Sequence, residues 1–202
     1  MLVIGTGNRK KGVELAELLA PLGITVKTLA DFPESFEVVE DGETFAENAA
    51  KKACQMAKHL GKWVLADDSG LAVDALDGRP GVYSARYSGP EADDESNNQL
   101  LLKELGDLPA EKRGAAFVCH VVLSGPDGQI VERHEARCRG RVLSKPEGTH
   151  GFGYDPLFEI VEYRRSFATL GPQVKACLSH RARAMRMMLP KLAELAGTEL
   201  TD

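Results

Sequence analysis

One stretch, residues 64–73, constrains the fold of this sequence more than any other. Apolar runs on both sides enclose the polar segment Asp67-Asp68-Ser69-Gly70. An apolar run of this length, bounded by turn-forming residues, is typical of a buried strand. Two carboxylates at the end of a buried strand cost free energy unless a cation meets them. A metal ion, a lysine or phosphate-bound Mg²⁺ would meet that requirement.

The sequence leaves two interpretations of these acids open. If the strand continues through them, Asp67 and Asp68 point to opposite faces, because side chains alternate along a strand. Only one of them then faces a site directly. Alternatively, Asp-Asp-Ser-Gly is a turn, since Asp, Ser and Gly are common turn residues.

A second polar segment follows a predicted strand at residues 2–5. Thr6-Gly7-Asn8, with Lys10 and Lys11, precedes a helix whose leucines recur at helical spacing. Amides at a helix N-terminus attract phosphate, and a lysine in the first turn adds a full charge. A tight turn with solvated lysines is the alternative. The next apolar run, at residues 24–26, makes a βαβ unit.

The second predicted helix begins at Thr44, which forms a capping-box pattern with Glu47. Lys52 shares a helix face with Asn48 and borders the apolar stripe, so it could reach into a cleft. Glu40 precedes this helix and is a candidate Mg²⁺ ligand, because Mg²⁺ is usually held by one or two carboxylates plus phosphates and water. Ordinary solvated side chains are the alternative for Lys52 and Glu40.

The remaining elements are predicted from apolar periodicity and turn residues. We expect a helix over 92–105, a hairpin of strands 115–124 and 129–138, a strand near 157–161, and a helix from about Ser179 that Pro190 should kink or restart.

A second glycine-rich turn, Gly151-Phe152-Gly153-Tyr154-Asp155, carries an aromatic ring with nothing bulky beside it. Such a ring can present its face to a purine. The alternative is a core phenylalanine that pins a loop.

Lys175, Ser179, His180 and Arg181 form a polar group just before the last predicted helix. Arginine is a pure hydrogen-bond donor and can pair with acceptors on a base edge. C-terminal surface charge is the alternative.

Composition restricts the class of protein. A chain of 202 residues can form one domain or two lobes with a sizeable core, and its net charge of −5 disfavours binding a nucleic-acid backbone. Four cysteines without a C-x-x-C spacing indicate reduced thiols, not a metal site. We recognise neither a signal peptide nor a membrane span, so the sequence predicts a cytoplasmic protein without a membrane partner.

Six motifs occur in order along nearly the whole chain. They are Thr6-Gly7-Asn8 with Lys11 and Glu14, Phe45-x-Glu47-Asn48-Ala49 with Lys52, Ala66-Asp67-Asp68-Ser69-Gly70-Leu71, Pro80-Gly81-Val82-Tyr83-Ser84-Ala85-Arg86-Tyr87, Gly151-Phe152-Gly153-Tyr154-Asp155-Pro156 and Ser179-His180-Arg181-Ala182. In combination they resemble the inosine-triphosphate pyrophosphatase family. One departure is the absence of a glutamate that family members often carry just before the lysine at Lys175.

The resemblance implies Mg²⁺-dependent hydrolysis of dITP, ITP and XTP to the monophosphate and pyrophosphate. It implies a single domain over residues 1–202 and a homodimer. The implied α/β fold is an elongated mixed β-sheet with flanking helices, forming two lobes and a central active-site cleft.

The resemblance also implies roles for particular residues. Asp68 is the proton acceptor and, with Glu40, a metal ligand, while Ser69 contacts the substrate. The implied triphosphate-binding residues are Thr6, Gly7, Asn8, Arg9, Lys10, Lys11 and Lys52. The implied base-binding residues are Phe152, Gly153, Tyr154, Asp155, Lys175, His180 and Arg181.

Two other functional classes remain open. A nucleotide sensor without hydrolysis would use the same glycine turns but would need no acid pair. A dinucleotide-binding oxidoreductase would need a third glycine in G-x-G-x-x-G, and that position is Lys10 here.

Overall fold

The structure is a computed structural model that describes residues 1–197. It has a mixed α/β fold, as the sequence predicts. The strands are β1 (Leu2–Ile4), β2 (Val26–Thr28), β3 (Trp63–Val73), β4 (Gly114–Ser124), β5 (Ile130–Val142), β6 (Phe158–Ile160) and β7 (Arg165–Ser166). The α-helices are α1 (Arg9–Leu19), α2 (Phe45–Leu60), α3 (Asp94–Leu105), α4 (Phe167–Leu170), α5 (Pro172–Leu178) and α6 (His180–Ala196).

The strands form one mixed sheet in the order β2-β1-β3-β4-β5-β6-β7. β1 pairs in parallel with β2 and β3, whereas β6 pairs antiparallel with β5 and β7. The predicted βαβ unit and hairpin are confirmed. β2 begins two residues later than predicted, because the ladder aligns Leu2 with Val26 after a left-handed turn at Gly23.

β3 runs without interruption from Trp63 to Val73, so the interpretation of Asp67-Asp68-Ser69-Gly70 as a turn is wrong. The physical reason is the hydrogen bonding of β3 to its neighbour β4, since β1 pairs only with Trp63–Leu65. Pairing with a neighbouring strand uses backbone hydrogen-bonding groups and outweighs the local turn preference of these residues.

The ends of α2 follow the sequence pattern only in part. Thr44 Oγ1 accepts from Glu47 N at 3.2 Å, and Gly61 ends the helix with φ +59°. The Glu47 carboxylate, however, accepts from Glu43 N at 2.8 Å, so the predicted reciprocal capping box is incomplete.

α6 continues through Pro190 to Ala196, so the predicted restart at this proline is wrong. Buried side chains lie on both sides of it, Met188 before and Leu192 after, and pack in the same core. Packing of one continuous apolar face therefore outweighs the backbone hydrogen bond lost at Pro190.

The chain divides into two compact units. The first contains residues 1–68, residues 119–136 and the stretch that begins at Arg181. Its largest core brings β1, α1, β3, β4 and α6 together, with Leu15, Leu65 and Met188 fully buried or nearly so.

The second unit contains residues 69–118 and 137–180. Its core includes the rings of Phe117, Phe158 and Phe167. The ring centroids of Phe117 and Phe158 are 4.5 Å apart, and those of Phe158 and Phe167 are 5.6 Å apart. None of the four cysteines forms a disulfide. Within residues 1–197, no helix is long and apolar enough to cross a membrane.

Candidate active site

The turn between β1 and α1 carries the predicted phosphate-binding residues 6–11. Asn8 caps α1, because its Oδ1 accepts from Lys11 N at 3.1 Å, and its own amide donates to Thr6 Oγ1 at 3.2 Å. A Cβ added at Gly7 would meet nothing within 4 Å. Residues 7–10 are exposed. An exposed helix N-terminus with basic residues in its first turn is suited to binding an anion.

Asp67 is fully buried in β3 and holds two cationic side chains of the first unit. Arg181 Nε donates to Asp67 Oδ2 at 3.2 Å, and Lys11 Nζ lies 3.9 Å from the same oxygen. Arg181 Nη1 also donates to Glu14 Oε2. Burial would lower the pKa of Arg181, but Asp67 and Glu14 outweigh it and raise the pKa above its ordinary value. This guanidinium therefore stays charged, and it ties the start of α6 to β3.

Asp68, the next residue along β3, has a different set of partners. Lys52 Nζ donates to Asp68 Oδ1 at 3.0 Å and to Glu40 Oε2 at 3.1 Å. The side chains of Lys52 and Asp68 are 9% and 8% exposed, whereas that of Glu40 is 38% exposed. The separate partners of the two aspartates agree with the alternation expected of a continuous strand.

Burial and charge act on the two members of this ion pair in different ways. Burial raises the pKa of Asp68 above its ordinary value, and the attraction of Lys52 and Lys11 offsets this only in part. Burial would lower the pKa of Lys52, but the surrounding carboxylates, chiefly Asp68, raise it overall. An ionised carboxylate with a raised pKa is a better proton acceptor than an exposed one, so Asp68 is suited to general-base catalysis.

Asn48 supports this carboxylate and was not predicted as a site residue. Its Nδ2 lies 3.4 Å from Asp68 Oδ2, and its Oδ1 accepts from Gly42 N at 2.8 Å. Asn48 therefore fixes the loop that carries Glu40 to the same helix that carries Lys52. The sequence signal was its position four residues before Lys52 on one face of α2.

Glu14 was also missed as a functional candidate. Its carboxylate pairs with Arg181, which is only 2% exposed. Carboxylate partners offset the cost of burying this charge. The sequence did not indicate this pair, because Glu14 and Arg181 lie far apart in the chain.

In the second unit, Asp155 organises the turn of Phe152. Asp155 Oδ2 accepts from Phe152 N at 2.9 Å and from Lys175 Nζ at 2.7 Å, and both charged side chains are buried. Gly151 has φ +81°, and a Cβ there would come within 2.1 Å of Asp155 Oδ2. The turn therefore requires glycine at this position for space and for backbone conformation.

The ring of Phe152 is partly exposed, so it is not the core phenylalanine of the alternative interpretation. Lys175 Nζ lies 4.2 Å from its centroid, a cation–π distance. A partly exposed ring with a cation on it can stack against a planar heterocycle.

His180, Arg181 and Lys175 are buried, at 4%, 2% and 7% exposure, so the interpretation of this group as surface charge is wrong. His180 stacks on Phe117 with centroids 4.8 Å apart and an interplanar angle of 13°. The structure brings Lys175 together with Phe152 and Asp155, and it places Arg181 with Asp67 and Glu14. The assignment of these residues to a base stays a prediction.

The residues around Lys52 fit a hard divalent cation of the kind such a site would need. Glu40 and Asp68 converge on one ammonium nitrogen, which shows that both carboxylates can reach one cation. Carboxylate oxygens are ligands that Mg²⁺ prefers. Among the described residues, no group of three or more His, Cys, Asp or Glu is placed to hold a metal ion. Phosphate and water oxygens would therefore have to complete the coordination.

The chain matches a known family and known sequences over nearly its whole length. Residues 2–191 match the Ham1 family. A dITP/XTP pyrophosphatase of Rhodopirellula baltica is 54% identical over 201 residues, covering 100% of this chain and 97% of that protein. A dITP/XTP pyrophosphatase of Geobacter sulfurreducens is 50% identical over 187 residues, covering 93% of this chain and 94% of that protein.

Solved structures are similar over the same length. The Ham1 protein of Staphylococcus aureus has a TM-score of 0.84 and 37% identity, with 95% of this chain and 97% of that one covered. The nucleoside-triphosphatase / dITP/XTP pyrophosphatase of Mycobacterium abscessus has a TM-score of 0.75 and 45% identity, with 95% and 98% covered. This chain therefore belongs to the Ham1 family.

Proposed function

We propose that this protein is a nucleoside-triphosphate pyrophosphatase. It hydrolyses dITP, ITP and XTP to the monophosphate and pyrophosphate and so removes non-canonical purines from the nucleotide pool. The names of relatives that cover almost the whole chain support this activity. The observation that carries it is the convergence of Lys11 and Lys52, at 3.9 and 3.0 Å, on the adjacent acids of β3.

The triphosphate is the part of the substrate that requires positive charge. The turn of residues 6–11 supplies helix N-terminal amides and Lys11, and α2 supplies Lys52. Positioning and charge neutralisation account for most of the catalysis of phosphoryl transfer. Each lysine lies beside a buried aspartate that fixes its position before the substrate arrives.

Asp68 is the proton acceptor for the attacking water. The water oxygen forms a bond to the α-phosphorus, the bond from that phosphorus to the bridging oxygen breaks, and pyrophosphate leaves. The proton of the water passes to Asp68, whose orientation is fixed by Lys52 at Oδ1 and Asn48 at Oδ2.

Glu40 and Asp68 are the residues that would hold Mg²⁺. When bound, this ion would neutralise charge on the phosphate oxygens. The present partners of Lys52 are the same two carboxylates. When these carboxylates bind the ion, Lys52 would bind the substrate phosphates instead.

The purine is bound around Phe152, in the second unit. Phe152 stacks on the base, and Ser69, Gly153, Tyr154, Asp155, Lys175 and His180 shape its surroundings. Hypoxanthine and xanthine carry an acceptor O6 where adenine carries an amino group. A site rich in donors leaves those donors unpaired when adenine enters, and such sites discriminate strongly.

The proposed protein is one catalytic domain over residues 1–202 that acts as a homodimer in the cytoplasm. A soluble pool of nucleotides is its substrate source. We propose no nucleic-acid or membrane partner.

A panel of nucleoside triphosphates, scored for pyrophosphate with Mg²⁺ and with EDTA, tests this function. We expect dITP, ITP and XTP to be hydrolysed with Mg²⁺ and not with EDTA, and ATP to be a poor substrate. Equal kcat/KM for ITP, GTP and ATP would contradict the proposed base recognition. Absence of pyrophosphate release from every purine would contradict the activity itself.

A further inference from the structure

A short 3-10 helix, Gly81–Arg86, packs directly on β3 just after the acids. Leu71 N donates to Ser84 Oγ at 2.9 Å, and the Ser84 hydroxyl donates to Gly81 O at 2.7 Å. A Cβ on Gly70 would come within 2.3 Å of Ser84 Oγ and 2.6 Å of Gly81 O. The strand and this segment thus touch through backbone and a single hydroxyl.

The same serine also contacts the turn that carries Phe152. The Tyr154 hydroxyl donates to Ser84 O at 2.9 Å, and Tyr154 is only 4% exposed. Burial raises the pKa of Tyr154, so its hydroxyl keeps its proton and remains a donor at neutral pH. Ser84 is therefore bonded to β3 by its side chain and to the Phe152 turn by its carbonyl.

Two neighbouring asparagines of α3 hold the same two segments. Asn97 accepts from Ser88 N at 2.8 Å and donates to Ala85 O at 3.2 Å. Asn98 Nδ2 donates to Gly153 O at 3.0 Å. Hydrogen bonds that fix both segments to one helix limit their independent movement. The hydrogen-bonded path from the Phe152 turn through Tyr154 and Ser84 to β3 is therefore rigid.

We propose that Ser84 is a positioning residue that couples occupancy of the Phe152 turn to the alignment of β3, and hence to turnover. The inference rests on the proposed function, in which Phe152 binds the base and Asp68 is the proton acceptor. Leu71 lies three residues after Asp68 on the same strand. Small misplacements of catalytic groups cost large factors in rate. Binding energy from a remote part of a substrate is used in this way to orient the reacting centre.

The first test compares Ser84→Ala and Tyr154→Phe with wild type in steady-state hydrolysis of dITP. Tyr154→Phe removes the hydrogen bond to Ser84 O, and Ser84→Ala removes those to Leu71 N and Gly81 O. We expect kcat to fall by about fivefold to thirtyfold, the range that one lost hydrogen bond with an unpaired partner supports, and KM to change by less than about twofold. Ser88→Ala is the matched control, because its hydroxyl bonds Ser96 and Asn97 of α3 instead of β3 or the Phe152 turn. We expect its kcat to match wild type.

The second test separates coupling from a merely structural role. In a Phe152→Ala background the base no longer binds the turn and cannot align β3 through Ser84. Adding Ser84→Ala should then lower kcat by no more than about twofold. A structural role would give the same loss in both backgrounds, since independent effects add. If Ser84→Ala does not fold, as judged by circular dichroism, Tyr154→Phe carries both tests.

The outcomes for the inference and for the proposed function are distinct. Unchanged kcat in Ser84→Ala and Tyr154→Phe, or losses equal with and without Phe152, would overturn the coupling while wild type still hydrolyses dITP. A wild-type protein that releases no pyrophosphate from dITP would instead contradict the proposed function.

Discussion

At the scale of single residues, the site depends on two adjacent aspartates with different partners. Asp67 is fully buried and holds Arg181 and Lys11, so its role is to fix those cations. Asp68 contacts Lys52 and is also buried. The sequence alone could state that a continuous strand separates the two carboxylates, but not which one meets which cation.

Replacing Asp68 with Asn should lower kcat for dITP by about 10² to 10⁴, the range typical of a lost general base, while dITP still binds. Steady-state kinetics and calorimetric titration of dITP measure the two quantities. Asp107→Asn, at an exposed position after α3, is the control and should behave as wild type. Near-normal turnover of the Asp68 variant would refute its assignment as proton acceptor.

The adjacent lysines Lys51 and Lys52 give a matched pair for stability. Lys52→Met leaves the buried Asp68 without its cation and should lower the free energy of unfolding by about 3 kcal/mol. Lys51 pairs with Asp41, whose side chain is 67% exposed. Lys51→Met should therefore change the free energy of unfolding by less than about 1 kcal/mol. Urea denaturation of both variants measures these changes. Equal losses of unfolding free energy would show that the buried pair stabilises the fold no more than the exposed pair does.

At the scale of elements, the turn at residues 151–155 is fixed by a glycine and a buried ion pair. Gly151→Ala places a Cβ on Asp155, which must move and release Phe152 N. We expect KM for dITP to rise by about tenfold, since a hydrogen bond to a charged group is lost. Gly78 has φ +85° and nothing within 4 Å of an added Cβ. Gly78→Ala therefore suffers the same backbone strain without the clash, and an equal rise in its KM would contradict this account.

The contact between α3 and the segment before it predicts a dependence of stability on alkaline pH. The Tyr87 hydroxyl donates to Glu104 Oε2 at 2.5 Å, and burial with this carboxylate raises the pKa of Tyr87 to about 12. Because the folded protein holds this proton more tightly than the unfolded chain does, the stabilisation is complete below pH 10 and is lost as pH rises towards 12.

Tyr87→Phe isolates this effect from other groups that titrate at high pH. The difference in free energy of unfolding between wild type and the variant should be constant below pH 10 and should shift against wild type between pH 10 and 12. Denaturant titrations at several pH values measure it. A difference that does not change with pH would mean that the Glu104 contact does not raise the pKa of Tyr87.

Local patterns predicted most elements, and their failures have physical causes. Periodicity identified α1, α2, α3 and the β4–β5 hairpin. Turn propensity could not show that β3 continues through Asp67-Asp68-Ser69-Gly70, because that depends on pairing with the neighbouring strand β4. The contacts of Asn48 and Glu14 could not be predicted for a similar reason, since each depends on a partner distant in sequence.

At the scale of the whole molecule, four cationic side chains of an acidic chain pair with buried aspartates. The net charge is −5, yet Lys11, Lys52, Lys175 and Arg181 each lie within 4 Å of a buried aspartate. Buried charges of this kind are costly unless paired, and they are characteristic of functional sites. We therefore assign these pairs to substrate binding and not to stability alone.

The most direct test of that account is hydrolysis of dITP in H₂¹⁸O, followed by mass spectrometry of both products. Attack of water on the α-phosphorus predicts one ¹⁸O atom in the deoxyinosine monophosphate and none in the pyrophosphate. Label in pyrophosphate, or release of single phosphates, would contradict it.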